Sequence, residues 1–222
     1  MLRKKILIVV AHPDDELLGA GGTLKKHLLN RDDVRVIILS KGKTSRDNFK
    51  FREILKLNNE TNKALKFLGV KKYKIFDFPD NKFDTVSLIS IIKTIEEFKK
   101  DFRPNRVYTH FLNDLNIDHR ITAEATITAF RPLPNEICTE ILSFEIPSST
   151  DLMEKKFSPN YFIDISKTIN SKIKALSFYK SEMKRSPHPR SLNNIKAMSI
   201  FRGNQFGVKS AEAFEIIRIL EK

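Results

Sequence analysis

The hexapeptide Ala11-His12-Pro13-Asp14-Asp15-Glu16 sets one imidazole and three carboxylates side by side, directly behind the apolar run Ile6-Leu7-Ile8-Val9-Val10. Adjacent acids repel one another unless a cation or a proton sits among them. Pro13 holds His12 extended and fixes its own φ, so these groups are presented in one geometry, a nitrogen and oxygen set suited to Zn²⁺. A plain helix N-terminus also welcomes Asp and Glu, which complement the macrodipole, and Leu17-Leu18 does open a helical pattern. The His-Pro ahead of the acids and the strand behind it favour the metal reading.

A metal needs a third ligand, and the chain has five histidines. His27, in Leu24-Lys25-Lys26-His27-Leu28, is expected on the outer surface of the first helix. His110 and His119 are better placed: Val107-Tyr108 leads through Thr109-His110 into a polar loop, 111–120, and then into a helical run over 121–130. This is a second strand-loop-helix unit, with its loop at the same sheet edge as the first. His119 is the expected third ligand, and Asp118 beside it is suited to orienting it or a partner.

Elements that would carry these residues can be read along the chain. Continuous Ile, Leu and Val over 6–10 predicts a strand buried on both faces, as in a parallel sheet. Further strands are expected over 34–39, 73–76 and 106–109, and again over 140–146 and 161–165 as a paired edge beyond the parallel core. Helical spacing covers 46–68, closing at Gly69, then 86–98, 167–183 and 211–220. The alternation predicts an α/β fold, a Rossmann-like three-layer sandwich with a mainly parallel sheet. No repeat, low-complexity tract or linker interrupts residues 1–222, so one domain is expected. Gly19-Ala20-Gly21-Gly22 suggests a dinucleotide fingerprint, but the spacing fails at Leu24 and the acids would repel a pyrophosphate. Those glycines instead let the first helix approach the sheet.

Composition narrows the function classes. Apolar residues make up 41% and charged residues 30%, as in a soluble globular protein. No segment approaches the roughly 20 apolar residues of a membrane span. Leu2-Arg3-Lys4-Lys5 before the apolar run imitates a targeting segment, but the run is short and ends in the hexapeptide, so it reads as a first strand. A single cysteine, Cys138, excludes an internal disulfide and fits the reducing cytoplasm, the expected location. The net charge of +13 comes from lysines scattered along the chain, without the aromatic interleaving of a nucleic-acid binder. Solvated helix faces explain most of it, and an anionic substrate is compatible with it.

His-Pro-Asp-Asp-Glu after the first strand, a glycine-rich helix start and the distal Asn-Asp…Asp-His-Arg loop together closely resemble the LmbE/PIG-L family of zinc-dependent N-deacetylases. The resemblance extends over at least residues 4–165. It implies that His12, Asp15 and His119 bind Zn²⁺ and that Asp14 is the general base. It also implies hydrolysis of an acetamide, commonly that of an N-acetylglucosamine unit, to acetate and a free amine. The expected partner is therefore a small N-acetylated sugar or nucleotide sugar, with no nucleic acid and no membrane span; an oligomer is open. An amidase on a larger acyl-amine conjugate, or a catalytically silent sugar-binding relative, are the alternatives.

One departure from the family pattern bears on mechanism. Many relatives carry a histidine three residues before the distal ligand, and this chain has Asn116 there. Asn can donate a hydrogen bond but cannot deliver a proton at neutral pH. Asn116 is then an oxyanion donor, and the acid is sought in His188, within the stiff Ser186-Pro187-His188-Pro189-Arg190, or in His110. Asp80, His110, Asp118, Arg190 and Arg202 are further candidates for lining the pocket, the two arginines for an anionic part of the substrate.

Overall fold

The computed structural model describes residues 3–43, 45 and 51–221. Its strands are β1 (Lys5–Val10), β2 (Asp33–Ser40), β3 (Lys72–Phe78), β4 (Arg106–His110), β5 (Glu140–Phe144), β6 (Tyr161–Asp164) and β7 (Ala211–Ile219), and its helices are α1 (Asp15–Leu29), α2 (Phe51–Leu68), α3 (Leu88–Phe102), α4 (Ile117–Ala129), α5 (Ile169–Leu176) and α6 (Leu192–Asn204). The strands form one sheet in the order β3-β2-β1-β4-β5-β7-β6. It is parallel from β3 to β5, while β7 runs antiparallel to β5 and β6 antiparallel to β7.

The alternation of side chains along β1 builds both faces. Ile6, Ile8 and Val10 pack with Leu17 and Leu24 of α1 and Leu57 and Leu65 of α2. Leu7 and Val9 pack on the opposite side with Ile91 and Ile95 of α3 and Ala125 of α4. The three-layer α/β architecture expected from the sequence is the one adopted. β1 pairs with β2 on one side and β4 on the other, so the chain winds outward in both directions from the β1/β4 seam. Ligands of such sheets bind beyond the strand C-termini at that reversal. Among the described residues, no helix is long and apolar enough to cross a membrane.

Several elements depart from their sequence expectation. Residues 211–220, rich in helix formers, are the strand β7, because β5 and β6 pair with it on both sides; such long-range pairing overrides local propensity. β5 accordingly joins the parallel core through β4 instead of forming an outer pair with β6. The helix expected over 167–183 is only α5, followed by turns. α6, started by Ser191 whose hydroxyl accepts the Asn194 amide at 3.2 Å, has no single apolar stripe to announce it. The expected helix start at 46–50 and Thr44 lie outside the described residues. His27 is not on the surface: it is buried, with Nδ1 2.7 Å from Asp32 and Nε2 2.9 Å from the Tyr108 hydroxyl. Burial, opposed by the Asp32 hydrogen bond, holds its pKa below the ordinary histidine value.

α1 contains a break at Ala20, where φ is −140° and ψ 21°. The groups freed there are met by a buried ion pair from far along the chain. Lys172 Nζ donates to the Leu18 carbonyl at 2.8 Å and to Glu212 at 2.6 Å, and Glu212 accepts the Gly22 and Thr23 amides at 2.9 and 2.7 Å. The glycines do bring α1 close: a Cβ on Gly19 would stand 2.1 Å from the Phe144 ring, and one on Gly22 2.7 Å from Ile165.

Gly19→Ala should therefore destabilise the chain by about 1–3 kcal/mol, the usual range for overpacking, and Phe144→Leu should recover part of that loss; denaturant titration of the three variants checks this. His27 gives a pH prediction. Its folded pKa is depressed, so the unfolded chain binds more protons, and stability rises with pH across the ordinary histidine range and is lost on acidification through it. His27→Gln should flatten that slope, by at most ~1.4 kcal/mol per pH unit.

Candidate active site

The C-terminal ends of β1 and β4 lie side by side, and each delivers a loop that becomes the first turn of a helix. α1 begins at Asp15 and α4 at Ile117, so His119 stands on the first turn of a helix and not in the loop assigned to it from sequence. The Asn116 side chain caps α4, its Oδ1 accepting the amides of Asp118 at 2.9 Å and His119 at 3.4 Å. That cap fixes the direction in which His119 leaves the helix.

Asp15 is the hub. Its Oδ2 accepts the His12 amide at 2.9 Å and lies 3.4 Å from His12 Nδ1, 3.3 Å from His119 Nε2 and 3.5 Å from His110 Nε2. Its Oδ1 is buried and accepts no hydrogen bond. His12, Asp15 and His119 each offer a ligand atom within 4.8 Å of the others. The second grouping of that kind, His12 with Asp80 and Asp118, is already engaged. Asp118 accepts the amides of Asn81 at 2.6 Å and Phe83 at 3.0 Å, and its Oδ2 lies 2.9 Å from His12 Nε2. Asp80 takes the Ser45 hydroxyl at 2.8 Å and lies 3.3 Å from the same His12 nitrogen. The two acids thus orient His12 from behind, and the first grouping keeps the open positions.

The donor set fits a divalent ion. Each imidazole has one nitrogen toward Asp15 and the other toward a carboxylate, the arrangement that fixes tautomer and ring plane in metal sites. For His119 that carboxylate is Asp114, 3.1 Å from Nδ1. Asp114 is held in turn by the Asn116 amide at 2.9 Å and the Thr150 hydroxyl at 2.7 Å. Burial lowers the His12 pKa, but the hydrogen bonds to Asp118 and Asp15 outweigh it and carry it up to about 10. A cluster that attracts a proton so strongly has an excess of negative charge, which a metal cation meets instead.

Asp14 has different surroundings. It is buried, with φ at 99°, a left-handed conformation costly for a non-glycine residue. Glu16 secures the turn, accepting the Asp14 amide at 3.1 Å and the Tyr179 hydroxyl at 2.6 Å. Asp14 Oδ1 lies 3.4 Å from the Arg190 guanidinium, whereas Oδ2 accepts no hydrogen bond. Burial pushes the Asp14 carboxyl well above its ordinary range; Arg190 opposes this, and the Asp15 charge adds to it. Both residues line a cavity of about 380 Å³ that also exposes His12, Asp80, Asn116 and His119.

The remaining sequence candidates separate clearly. His110 is fully buried, stacked on His119 at 4.0 Å, and its Nε2 accepts the Ala11 amide at 3.0 Å. It does not line the cavity and supports the His12, Asp15 and His119 side chains from beneath. Asp118 is also buried behind them. His188 is exposed and outside the cavity wall, its Nδ1 accepting the Arg190 amide at 3.0 Å; the stiff loop delivers Arg190 to the cavity instead. Arg202 is spent on Glu145, with contacts of 3.0 and 2.8 Å, and does not reach this cavity. Sequence reasoning missed Asp114, whose signal was an acid in the same Asn/Asp-rich loop as His119. It also missed the Lys43–Glu182 ion pair on the cavity wall, which joins segments 139 positions apart and has no local signature.

The chain is similar to several known proteins. The family model described as PIG-L: GlcNAc-PI de-N-acetylase matches residues 7–130. A diacetylchitobiose deacetylase of Thermococcus kodakarensis is 26% identical over 224 residues, spanning 96% of this chain and 83% of that protein. A probable N-acetyl-alpha-D-glucosaminyl L-malate deacetylase of Bacillus cereus is 24% identical over 190 residues, spanning 82% and 84%. The solved N,N'-diacetylchitobiose deacetylase of Pyrococcus horikoshii superposes with a TM-score of 0.79 over 97% of this chain and 84% of that one, at 22% identity.

Titration with Zn²⁺ against a chromophoric chelator should show one tight site per chain, lost in Asp15→Ala. Asp114→Asn, which keeps the side-chain shape and removes the charge facing His119, should weaken affinity about 10–100-fold. Unchanged affinity would remove Asp114 from the site.

Proposed function

Because the chain belongs to the PIG-L family, matched over more than half of its length, we propose that it is a zinc-dependent hydrolase that removes the acetyl group from an N-acetylated sugar or sugar conjugate. The observation that carries this reading is a pair of adjacent buried carboxylates with unlike surroundings. Asp15 faces three imidazoles, while Asp14 faces the cavity wall with Arg190 and keeps one oxygen unpaired. A silent binding relative has no use for the second, non-ligating acid.

Held by His12, Asp15 and His119, zinc would supply Lewis acidity, polarising a carbonyl and lowering the pKa of water toward ~7. The chain's own groups do the rest. Asp14 accepts the proton of the water that adds to the acetamide carbon, a role favoured by its burial. Arg190 occupies Oδ1 and fixes the carboxylate plane, so the unpaired Oδ2 handles the proton. Asn116 has Oδ1 tied to the α4 amides, which fixes its NH₂ as the outward end; Nδ2 donates to Asn81 at 3.1 Å and keeps a second N–H for the oxyanion. Protonated Asp14 then returns the proton to nitrogen as the C–N bond breaks, giving acetate and a free amine. No separate histidine acid is required. The described cations of the cavity wall both face acids, Arg190 near Asp14 and Lys43 at Glu182, which favours an uncharged glycoside over a nucleotide sugar.

Amine release from N-acetylglucosamine and N,N'-diacetylchitobiose tests the activity. Asp14→Asn should retain zinc and lose about 10²–10⁴ in turnover, whereas His188→Ala should turn over normally. Equal metal loss in Asp14→Asn and Asp15→Ala would mean the two carboxylates are wrongly assigned.

A further inference from the structure

At the opposite edge of the sheet from the catalytic cavity, where β1, β4, β5 and β6 begin, lies a second cavity of about 1040 Å³ beneath the end of α1. Thr23, Lys26, His27 and Asn30 line it at helical spacing, a polar stripe where a helix face turned to a sheet is ordinarily apolar. A chain of hydrogen bonds runs along its wall. Arg106 donates to the Tyr108 hydroxyl at 3.1 Å, that hydroxyl lies 2.9 Å from His27 Nε2, and His27 Nδ1 lies 2.7 Å from Asp32. The acids of the cavity are committed: Asp32 also accepts the Lys4 amide at 2.9 Å, Glu140 meets Lys4 and Arg106, and Asp164 accepts the Ser166 amide at 2.8 Å; the fourth acid, Glu221, is exposed. The donors are in surplus. Lys4 and Lys26 keep N–H groups beyond their bonds to Glu140 and to the Asp164 carbonyl, and the Tyr161 hydroxyl accepts from Arg106 at 3.2 Å with its own proton left over. Thr23 is the decisive group. A helical threonine commonly turns its hydroxyl to the preceding turn, as Thr61 and Thr126 do at 3.0 and 2.7 Å. Thr23 is 1% exposed, yet its Oγ1 has no partner among the described residues, an unfavourable arrangement that a bound acceptor relieves.

We propose that this second cavity binds a small phosphate monoester, with Thr23, Lys26, Lys4 and Tyr161 as the donors to its phosphoryl group and the rest of the cavity holding its organic part. These donors are ammonium and hydroxyl groups drawn from α1, the start of β1 and the start of β6. A tetrahedral dianion accepts from several sides at once, whereas a planar carboxylate is matched best by a guanidinium fork. The Arg106 fork is already engaged by Glu140, Tyr108 and Tyr161. A free phosphate ion would fill a small part of this volume, which favours an ester. The site stands apart from the deacetylase reading, since no lining residue is shared with the catalytic cavity.

Calorimetric titration of the zinc-loaded chain with glycerol 3-phosphate, inorganic phosphate and succinate, at constant ionic strength, tests this. Glycerol 3-phosphate should bind more tightly than inorganic phosphate, and succinate should not displace it. Thr23→Val, which keeps the side-chain shape and removes the hydroxyl, and Lys26→Gln should each weaken its binding about tenfold, as loss of one hydrogen bond to a charged group implies. Thr23→Ser should retain the binding, and Lys63→Gln, on the exposed side of α2, should leave it unchanged. Zinc content should be the same in every variant; Lys26 is only half-buried, so its replacement leaves the core intact. No binding by the wild type, or binding unchanged in both Thr23→Val and Lys26→Gln, would place the anion elsewhere, the metal included, and overturn the site. An equal loss in Lys63→Gln would reduce the effect to net charge and overturn it too. Displacement by succinate would overturn the phosphate assignment, and an ester no tighter than inorganic phosphate would overturn the ester.

Discussion

One buried oxygen organises this molecule. Asp15 Oδ2 is within 3.5 Å of three imidazole nitrogens and within hydrogen-bond reach of the His12 amide. The His12 amide and the His12 and His119 rings compensate this buried carboxylate, whereas His110, whose Nε2 accepts the Ala11 amide, packs beside it as a neutral ring. The partners must come from β1, α1, β4 and α4 at once, which the β1/β4 pairing makes possible. His110 contributes from below by taking the Ala11 amide, so that the strand carrying His12 is tied to the strand beneath His119. The outer acids Asp114, Asp118 and Asp80 then fix the rings from behind. The left-handed turn at Asp14 separates the two neighbouring carboxylates, sending one to the imidazoles and the other to the cavity.

The parts of the fold and site that were legible in the sequence are those fixed by local patterns. The apolar run of β1 announced a buried parallel strand, and His-Pro-Asp-Asp-Glu announced a cluster of imidazole and carboxylate groups, because covalent neighbours carried both signals. Asp118 and Asn116 were visible as polar residues near His119, but their jobs differ from simple expectation: Asp118 orients His12, and Asn116 caps α4. The unread parts depend on distant pairing. β7 has the composition of a helix and becomes a strand because it completes hydrogen bonding for two others. His27 follows a lysine pair that suggests a solvated face, yet Asp32 and Tyr108 draw it inward.

The C-terminal third was the least readable and supplies Glu182 and Arg190 to the cavity wall. Arg190 arrives from a loop that sequence reasoning valued for His188, and its guanidinium lies against Asp14 while the imidazole faces solvent. Arg202, expected to reach substrate, is neutralised by Glu145 and leaves an apolar groove without free positive charge. Local sequence could not show either outcome, since each depends on which acid meets the arginine in three dimensions.

The buried Lys172–Glu212 pair ties the folding of α1 to that of the antiparallel edge of the sheet. Glu212 supplies the acceptors for the Gly22 and Thr23 amides, and Lys172 the donor for the Leu18 carbonyl, so the helix that carries Asp15 is finished by residues about 150 and 190 positions later. Contacts so distant in sequence close late in folding. Until β7 has entered the sheet, the Gly22 and Thr23 amides and the Leu18 carbonyl lack these partners, so α1 reaches its final geometry only when β7 pairs. Asp15 thus sits on a helix whose geometry is completed from the antiparallel end of the sheet.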